Sequence, residues 1–111
     1  MQRLIPTRII CLTEAVTDDQ LTDDEEYEDI IEELREEGRR FGNLVNVVVP
    51  RPNRKHYYTP GVEKVFLEYA DVDDASIARL GMNGRFCRVS RNHIVALYYP
   101  EDKYAQGHFD G

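Results

Sequence analysis

The clearest periodic pattern of apolar residues lies between Thr22 and Phe41, where apolar side chains recur every three or four residues, as in a helix. At 100° per residue, one face of this helix collects the residues that we expect to pack on a core: Tyr27, Ile30, Ile31, Leu34, Gly38 and Phe41. Thr22 and Glu25 have the spacing of a capping box, so the helix is predicted to begin near Asp23. We expect it to end near Phe41, with Gly42 supplying a left-handed stop.

Runs of β-branched and aromatic residues predict four strands, at residues 8–13, 44–49, 63–69 and 94–99. A second helix is predicted at 71–80, with Ala75, Ala78 and Leu80 available for packing, and residues 51–61 form a long connection. A short helix can follow Pro100. The order strand, helix, strand, strand, helix, strand predicts an α+β, ferredoxin-like fold: a four-stranded antiparallel sheet with two helices on one face.

The length and composition predict a single domain. The 111 residues, 41% hydrophobic and 32% charged, suffice for one core. We assign residues 1–111 to it, with 1–6 as an N-terminal tail and 105–111 as a C-terminal tail that we expect to be disordered. No apolar run approaches membrane-spanning length. Cys11 and Cys87 share no metal or disulfide spacing with each other or with the scattered histidines, so we expect no metal and no cofactor.

Negative charge is concentrated on the long helix: twelve of the 21 acidic residues lie within 18–37. The net charge of −7 opposes tight binding to nucleic-acid phosphates and favours basic partners. Beside the core face runs what we call the acidic flank, made of Glu26, Asp29, Glu33 and Glu37. We assign the helix arginines, Arg35, Arg39 and Arg40, to the other flank or the back, so the acidic flank is expected to lack a cation of its own. A solubilising surface and a site for an external cation both explain this pattern.

Two other functions are disfavoured by the residues at the expected positions. An RNA-recognition motif (RRM) stacks bases on aromatic residues of its first and third strands. Here Ile10 and Lys64 stand at two of those positions, and only Phe66 remains on the outward face. Lys64 and Phe66 are therefore the RNA-binding residues of an alternative in which we expect weak or no binding. The chain is not expected to be an enzyme, because its paired carboxylates lie on an exposed helix with no nucleophile or pocket signal.

Five segments carry a resemblance to a known family: TRIICL, TDDEEYEDIIEELREEG, VVVPRP, PGVEKVFLEY and YYPEDKYAQG. They resemble the C-terminal domain of the large subunit of the U2 auxiliary factor, plant type, which is a U2AF homology motif. The resemblance covers nearly the whole chain. It implies an RRM-like domain that acts in nuclear pre-mRNA splicing as a monomer and binds protein rather than RNA. It also implies that the final helix packs over the sheet face where RNA would lie.

The implied ligand is a linear peptide with several basic residues before a tryptophan. Such tryptophan-containing basic motifs belong to splicing factors, here the branch-point-binding protein and proteins of the U2 particle. Because the chain begins with Met and shows neither further RNA-recognition motifs nor an Arg-Ser-rich segment, we expect a complete protein of this kind to lack direct RNA tethering. A decayed copy that retains only the folded scaffold is the remaining alternative.

Carried over residue by residue, the acids that face the ligand in this family match Asp29, Glu33 and Glu37. The family also has a loop with Arg, any residue and then Phe, in which the Arg pairs with a helix acid and the Phe stacks on the ligand tryptophan. Here Phe86 follows Arg85 at once, so an ungapped alignment puts Cys87 at the Phe position, and about two extra residues precede Asn92. Phe86 either reaches the pocket or fills the core at the sheet edge. The candidate peptide site comprises Glu26, Asp29, Glu33, Glu37, Arg85 and Phe86.

Overall fold

The architecture is an antiparallel sheet with two helices packed on one face. The computed structural model describes residues 5–51, 61, 63–88 and 90–109. Its helices are α1 (Asp24–Arg39), α2 (Val72–Met82) and α3 (Glu101–Ala105), and its strands are β1 (Ile9–Thr13), β2 (Leu44–Val48), β3 (Val65–Tyr69), β4 (Phe86–Cys87), β5 (Asn92–His93) and β6 (Val95–Tyr99). The main sheet has the order β2-β3-β1-β6, and β4 and β5 form a separate hairpin. The ferredoxin-like prediction is confirmed, and the hairpin is an addition that the sequence did not indicate.

Helix α1 packs through the face that its periodicity predicted. Four residues of that face are buried, and two are partly buried against the same core: Ile30, Ile31, Leu34 and Gly38, then Tyr27 and Phe41. The predicted ends are wrong in detail. Asp23, not Thr22, caps the start, because its carboxylate accepts the N–H of Glu26 at 2.9 Å.

Gly42 does not stop α1 by a left-handed turn, since the helix ends at Arg39 and Gly42 is absent from the positive-φ residues. The reason for a glycine at this position is a close approach of α2. A Cβ on Gly42 would lie 2.5 Å from the Cβ of Asp74, whose carboxylate accepts the N–H of Asn43 at 2.8 Å. The glycine therefore brings the end of α1 against the start of α2.

Helix α2 runs two residues past its predicted end, and this changes which side chains it buries. Ala75, Ala78 and Met82 face the core, whereas Leu80 is 75% exposed. The prediction for Leu80 was wrong because it stands 140° from Ala75 around the helix, while Met82, seven residues after Ala75, returns to the same face.

Strand β1 is buried on both faces of the sheet. Ile10 and Leu12 face the helices, whereas Ile9 and Cys11 belong to a second apolar cluster with Phe66 and Tyr99. Tyr104 and Phe109 cover this second cluster. The C-terminal tail is therefore packed on the sheet as far as Phe109 rather than disordered from residue 105.

The described residues contain no helix long and apolar enough to cross a membrane. Across those same residues, no group of three or more His, Cys, Asp or Glu side chains is arranged to hold a metal ion. Most of the predicted connection at 51–61 lies outside the described residues.

Candidate functional site

A groove of about 500 Å³ opens between the second half of α1, the end of α2 and the β4–β5 hairpin. Its floor is apolar and its rim is charged. The lining residues are Leu12, Glu33, Leu34, Glu36, Glu37, Arg40, Met82, Arg85, Phe86, Cys87, Arg88 and Ile94. The groove thus contains four of the six predicted site residues.

Glu37 joins the helix to the hairpin. Arg85 Nη1 donates to Glu37 Oε1 at 2.6 Å, and Arg40 Nη1 donates to the same oxygen at 2.9 Å. All three side chains are between one-third and three-fifths exposed, so both pairs contribute little to stability, and only the Arg85 pair links the hairpin to α1. The expectation that the acidic flank has no cation of its own is wrong. Arg40 follows Glu33 by seven residues and Glu37 by three, which places it on the same flank.

The other acids of the flank divide into two groups. Glu33 and Glu36 line the groove, are exposed, and form no ion pair within the part of the chain that the structure describes. Glu26 and Asp29 are also exposed but lie towards the start of α1, outside the groove lining. Glu36 was missed in the sequence, although its position three residues after Glu33 was a signal for it.

The β4–β5 hairpin determines which of Phe86 and Cys87 faces the core and which lies exposed at the groove. Successive residues of a strand point to opposite faces, so only one of the two can face the core. Cys87 does so: it packs against the core, and its Sγ donates to the carbonyl of Ala15 at 3.4 Å. Phe86 is 56% exposed at the groove, edge-to-face with His93 at 5.6 Å between ring centroids. The interpretation of Phe86 as a core residue is therefore wrong.

The hairpin is closed by its own backbone bonds and is tied to the segment that follows β1. The backbone N–H of Ile94 donates to the carbonyl of Arg85 at 2.8 Å, and Gly84, with φ of +81°, makes the turn that leads into β4. The Ser90 hydroxyl donates to the carbonyl of Glu14, just after β1. Together with the Cys87 contact, these bonds hold Phe86 at the groove without burying it.

The outer face of the sheet, unlike the groove, is covered by the C-terminal tail. The Phe66 side chain is fully buried, with the Tyr99 and Phe109 rings at 4.9 and 4.8 Å between centroids. Lys64 Nζ donates to the carbonyl of Phe109 at 3.2 Å. Burial and a hydrogen bond to Glu68 raise the pKa of Tyr104 to about 12. The two residues of the RNA-binding alternative are thus covered or engaged by the tail.

Comparison with known proteins finds similar sequences among plant splicing factors. No protein-family model matches it. It is 65% identical over 105 residues to the B form of the splicing factor U2af large subunit from Arabidopsis thaliana, a match that covers 95% of this chain and 18% of that protein. It is 52% identical over 107 residues to the A form of the same splicing factor from Oryza sativa subsp. japonica, covering 96% of this chain and 18% of that protein. The chain therefore spans less than a fifth of the length of these relatives.

The fold has a counterpart among solved structures. The structure of the RNA15 RRM superposes with a TM-score of 0.53 over 90% of this chain and 98% of that one, at 15% sequence identity, which shows the fold alone. Along almost all of its length, the chain is similar to a stretch of the plant U2 auxiliary factor large subunit, and its fold is that of an RRM.

Proposed function

We propose that this domain is a non-catalytic protein-interaction module of pre-mRNA splicing that works in the nucleus. Its ligand is a linear peptide of another splicing factor, with several basic residues before a tryptophan. The branch-point-binding protein and proteins of the U2 particle are the candidate partners. The domain binds this peptide as a monomer and makes little or no contact with RNA.

The observation that carries the proposal is the exposed ring of Phe86 at the rim of a groove that Glu33 and Glu36 line on the α1 side. An exposed aromatic beside an apolar floor suits a flat aromatic anchor, because stacked rings contribute about 0.5–1.5 kcal/mol beyond their buried area. Glu33 and Glu36 supply negative charge next to it. Basic residues that precede the anchor are then attracted along α1.

Arg85 supports the same proposal by its position. Its ion pair with Glu37 links the hairpin to α1, which favours one spacing between the aromatic ring and the acids before any ligand arrives. Such preorganisation favours binding, because less motion is lost when the peptide docks. RNA binding on the sheet is disfavoured because Phe66 is buried beneath the tail.

Calorimetric titration with a synthetic peptide of this type tests the proposal, with amide chemical shifts to locate the site. Two control peptides are matched to it: one with tryptophan replaced by alanine and one with its basic residues replaced by glutamine. Loss of the anchor should cost about 2 kcal/mol or more, roughly thirtyfold in affinity. Binding that is indifferent to both replacements, or no binding by a correctly folded domain, contradicts the proposal.

A further inference from the structure

Arg40 stands on the acidic flank itself, at the edge of the groove. It shares one carboxylate oxygen with the hairpin, since Arg40 Nη1 lies 2.9 Å and Arg85 Nη1 lies 2.6 Å from Glu37 Oε1. One carboxylate and two guanidinium groups carry a net charge of +1. A cation of the ligand that approaches Glu37 therefore meets a positive cluster rather than a free carboxylate.

Glu33 and Glu36, by contrast, keep their negative charge. They line the same groove, one turn or less towards the start of the helix, and no cation of the described residues pairs with either of them. The rim that α1 contributes is thus divided into a negative part at Glu33 and Glu36 and a positive part around Glu37.

We propose that Arg40 is a specificity-determining residue that competes with the ligand for Glu37, so that the cations of the peptide bind at Glu33 and Glu36 instead. The inference rests on the proposed function and names the carboxylates that it uses. The Arg40 side chain is 59% exposed and its pair with Glu37 is a surface pair, so its hold is weak enough for a ligand to contest. Arg40 therefore lowers the affinity for basic peptides and shifts their preferred register along α1.

Arg35 offers a matched control on the same helix. It also pairs with a glutamate three residues before it, with Nη1 at 2.8 Å from Glu32 Oε2, but it does not line the groove. Arg35→Gln and Arg40→Gln remove the same charge and the same kind of pair. Only the second removes a cation from the rim.

The experiment measures the affinity of both variants and the wild type for the basic tryptophan peptide at low ionic strength. Arg40→Gln should bind about two- to fivefold more tightly than wild type, as expected for the loss of one exposed charge interaction, and Arg35→Gln should change by less than about twofold. The gain should shrink when the basic residue of the peptide nearest the tryptophan is replaced by glutamine. Glu36→Gln should weaken binding, whereas Glu28→Gln, on the opposite flank of α1, should not.

The outcomes separate this inference from the proposed function. If the wild type binds the peptide while Arg40→Gln and Arg35→Gln behave alike, the inference is overturned and the proposed function stands. If Arg40→Gln weakens binding, Arg40 is a ligand contact rather than a competitor, and the inference is likewise overturned. If the folded wild type does not bind the peptide, the proposed function fails and the inference with it.

Discussion

The ring of Phe109 lies against the ring of Phe66, with their centroids 4.8 Å apart. Phe66 is the one aromatic of strand β3 that the sequence left on the outward face of the sheet, where an RNA-recognition motif stacks bases. The C-terminal tail occupies that place with a ring of its own. The sequence predicted that the outer face of the sheet is poor in stacking residues, and the C-terminal tail also covers that face.

Single-stranded RNA should consequently bind negligibly. The reason is twofold: the stacking surface is buried, and a net charge of −7 repels phosphate. Fluorescence anisotropy with a uridine-rich oligonucleotide checks this. Tight binding that weakens steeply with salt would contradict it and would make Lys64 and Phe66 site residues.

Peptide binding should depend on ionic strength, because the acids of the flank are solvated and act largely by steering. Glu33→Lys should weaken binding about five- to tenfold at low salt, a range that corresponds to about 1 kcal/mol. Glu28→Lys is the matched control, since it makes the same charge change at an exposed position on the opposite flank of α1. Equal effects of the two reversals, or an affinity that ignores salt, would show that the flank acts only through overall charge.

The hairpin makes opposite predictions for its two neighbouring residues. Phe86→Ala should reduce peptide affinity by about 1 kcal/mol or more with little change in stability, because the ring is 56% exposed. Cys87→Phe should destabilise the fold, since Cys87 packs on the core and a larger side chain there overfills it at about 1–3 kcal/mol. Calorimetry and urea unfolding measure the two effects.

Leu80→Ala is the control for Phe86→Ala. It also removes an exposed apolar side chain, but Leu80 does not line the groove. If Leu80→Ala costs as much peptide affinity as Phe86→Ala, the ring of Phe86 has no specific role.

How much of this could be predicted from sequence differs between the fold and the site. The helix face of α1 was predictable, because a buried stripe imposes a 3.6-residue period that the sequence carries. The order of elements followed in the same way. The cap at Asp23 was not predicted, because Thr22 and Asp23 are both good N-cap residues and the choice between them depends on the turn that precedes them.

The site was less accessible from sequence for reasons that are equally physical. The position of Phe86 depends on which of two adjacent strand residues faces inward, and Cys87 faces inward through contacts with residues far away in the sequence, such as Ala15. The contact between Arg85 and Glu37 spans 48 residues and was expected only through the family resemblance. By contrast, the position of Arg40 beside Glu37 follows from a spacing of three residues and was available in the sequence.

The buried hydroxyl of Tyr69 should contribute to stability. It donates to the carbonyl of Gly38 at 2.7 Å, and that carbonyl also accepts the N–H of Phe41, so Tyr69→Phe should cost about 1 kcal/mol rather than more. Burial, with Asp74 and Glu37, raises the pKa of Tyr69 above its ordinary value of 10. Above pH 10 the unfolded state therefore loses its proton first, and stability falls as pH rises.

The measurement is urea unfolding of wild type and Tyr69→Phe across the alkaline range. The variant should lose less stability above pH 10 than the wild type does, because it lacks this titration. Identical alkaline slopes would show that Tyr69 ionises equally readily in both states.

The ion pair between Arg8 and Glu101 should make stability depend on pH in the opposite sense, with stability lost as the pH falls. Arg8 donates to Glu101 through its side chain at 2.9 and 3.0 Å and through its backbone N–H at 3.1 Å, and these bonds lower the pKa of the Glu101 carboxyl below 4.5. A lowered carboxyl pKa stabilises the folded state above 4.5, and that contribution disappears as the pH falls through the folded value. Glu101→Gln should therefore destabilise at neutral pH by less than about 1 kcal/mol, and the difference from wild type should vanish in acid. A difference that persists in acid would point to a cause other than charge.

Both faces of strand β1 are buried, one beneath the helices and the other beneath the tail. The two apolar clusters lie on opposite faces of the same strands, β1, β3 and β6, so neither can open without disturbing the backbone that the other packs on. Separate melting of the tail is therefore not expected: loss of the Phe109 contact should speed amide exchange in β1 and reach the helix layer behind it. The tail therefore unfolds together with the rest of the domain. The stability of the groove on the helix side of the sheet depends on the tail that covers the outer face.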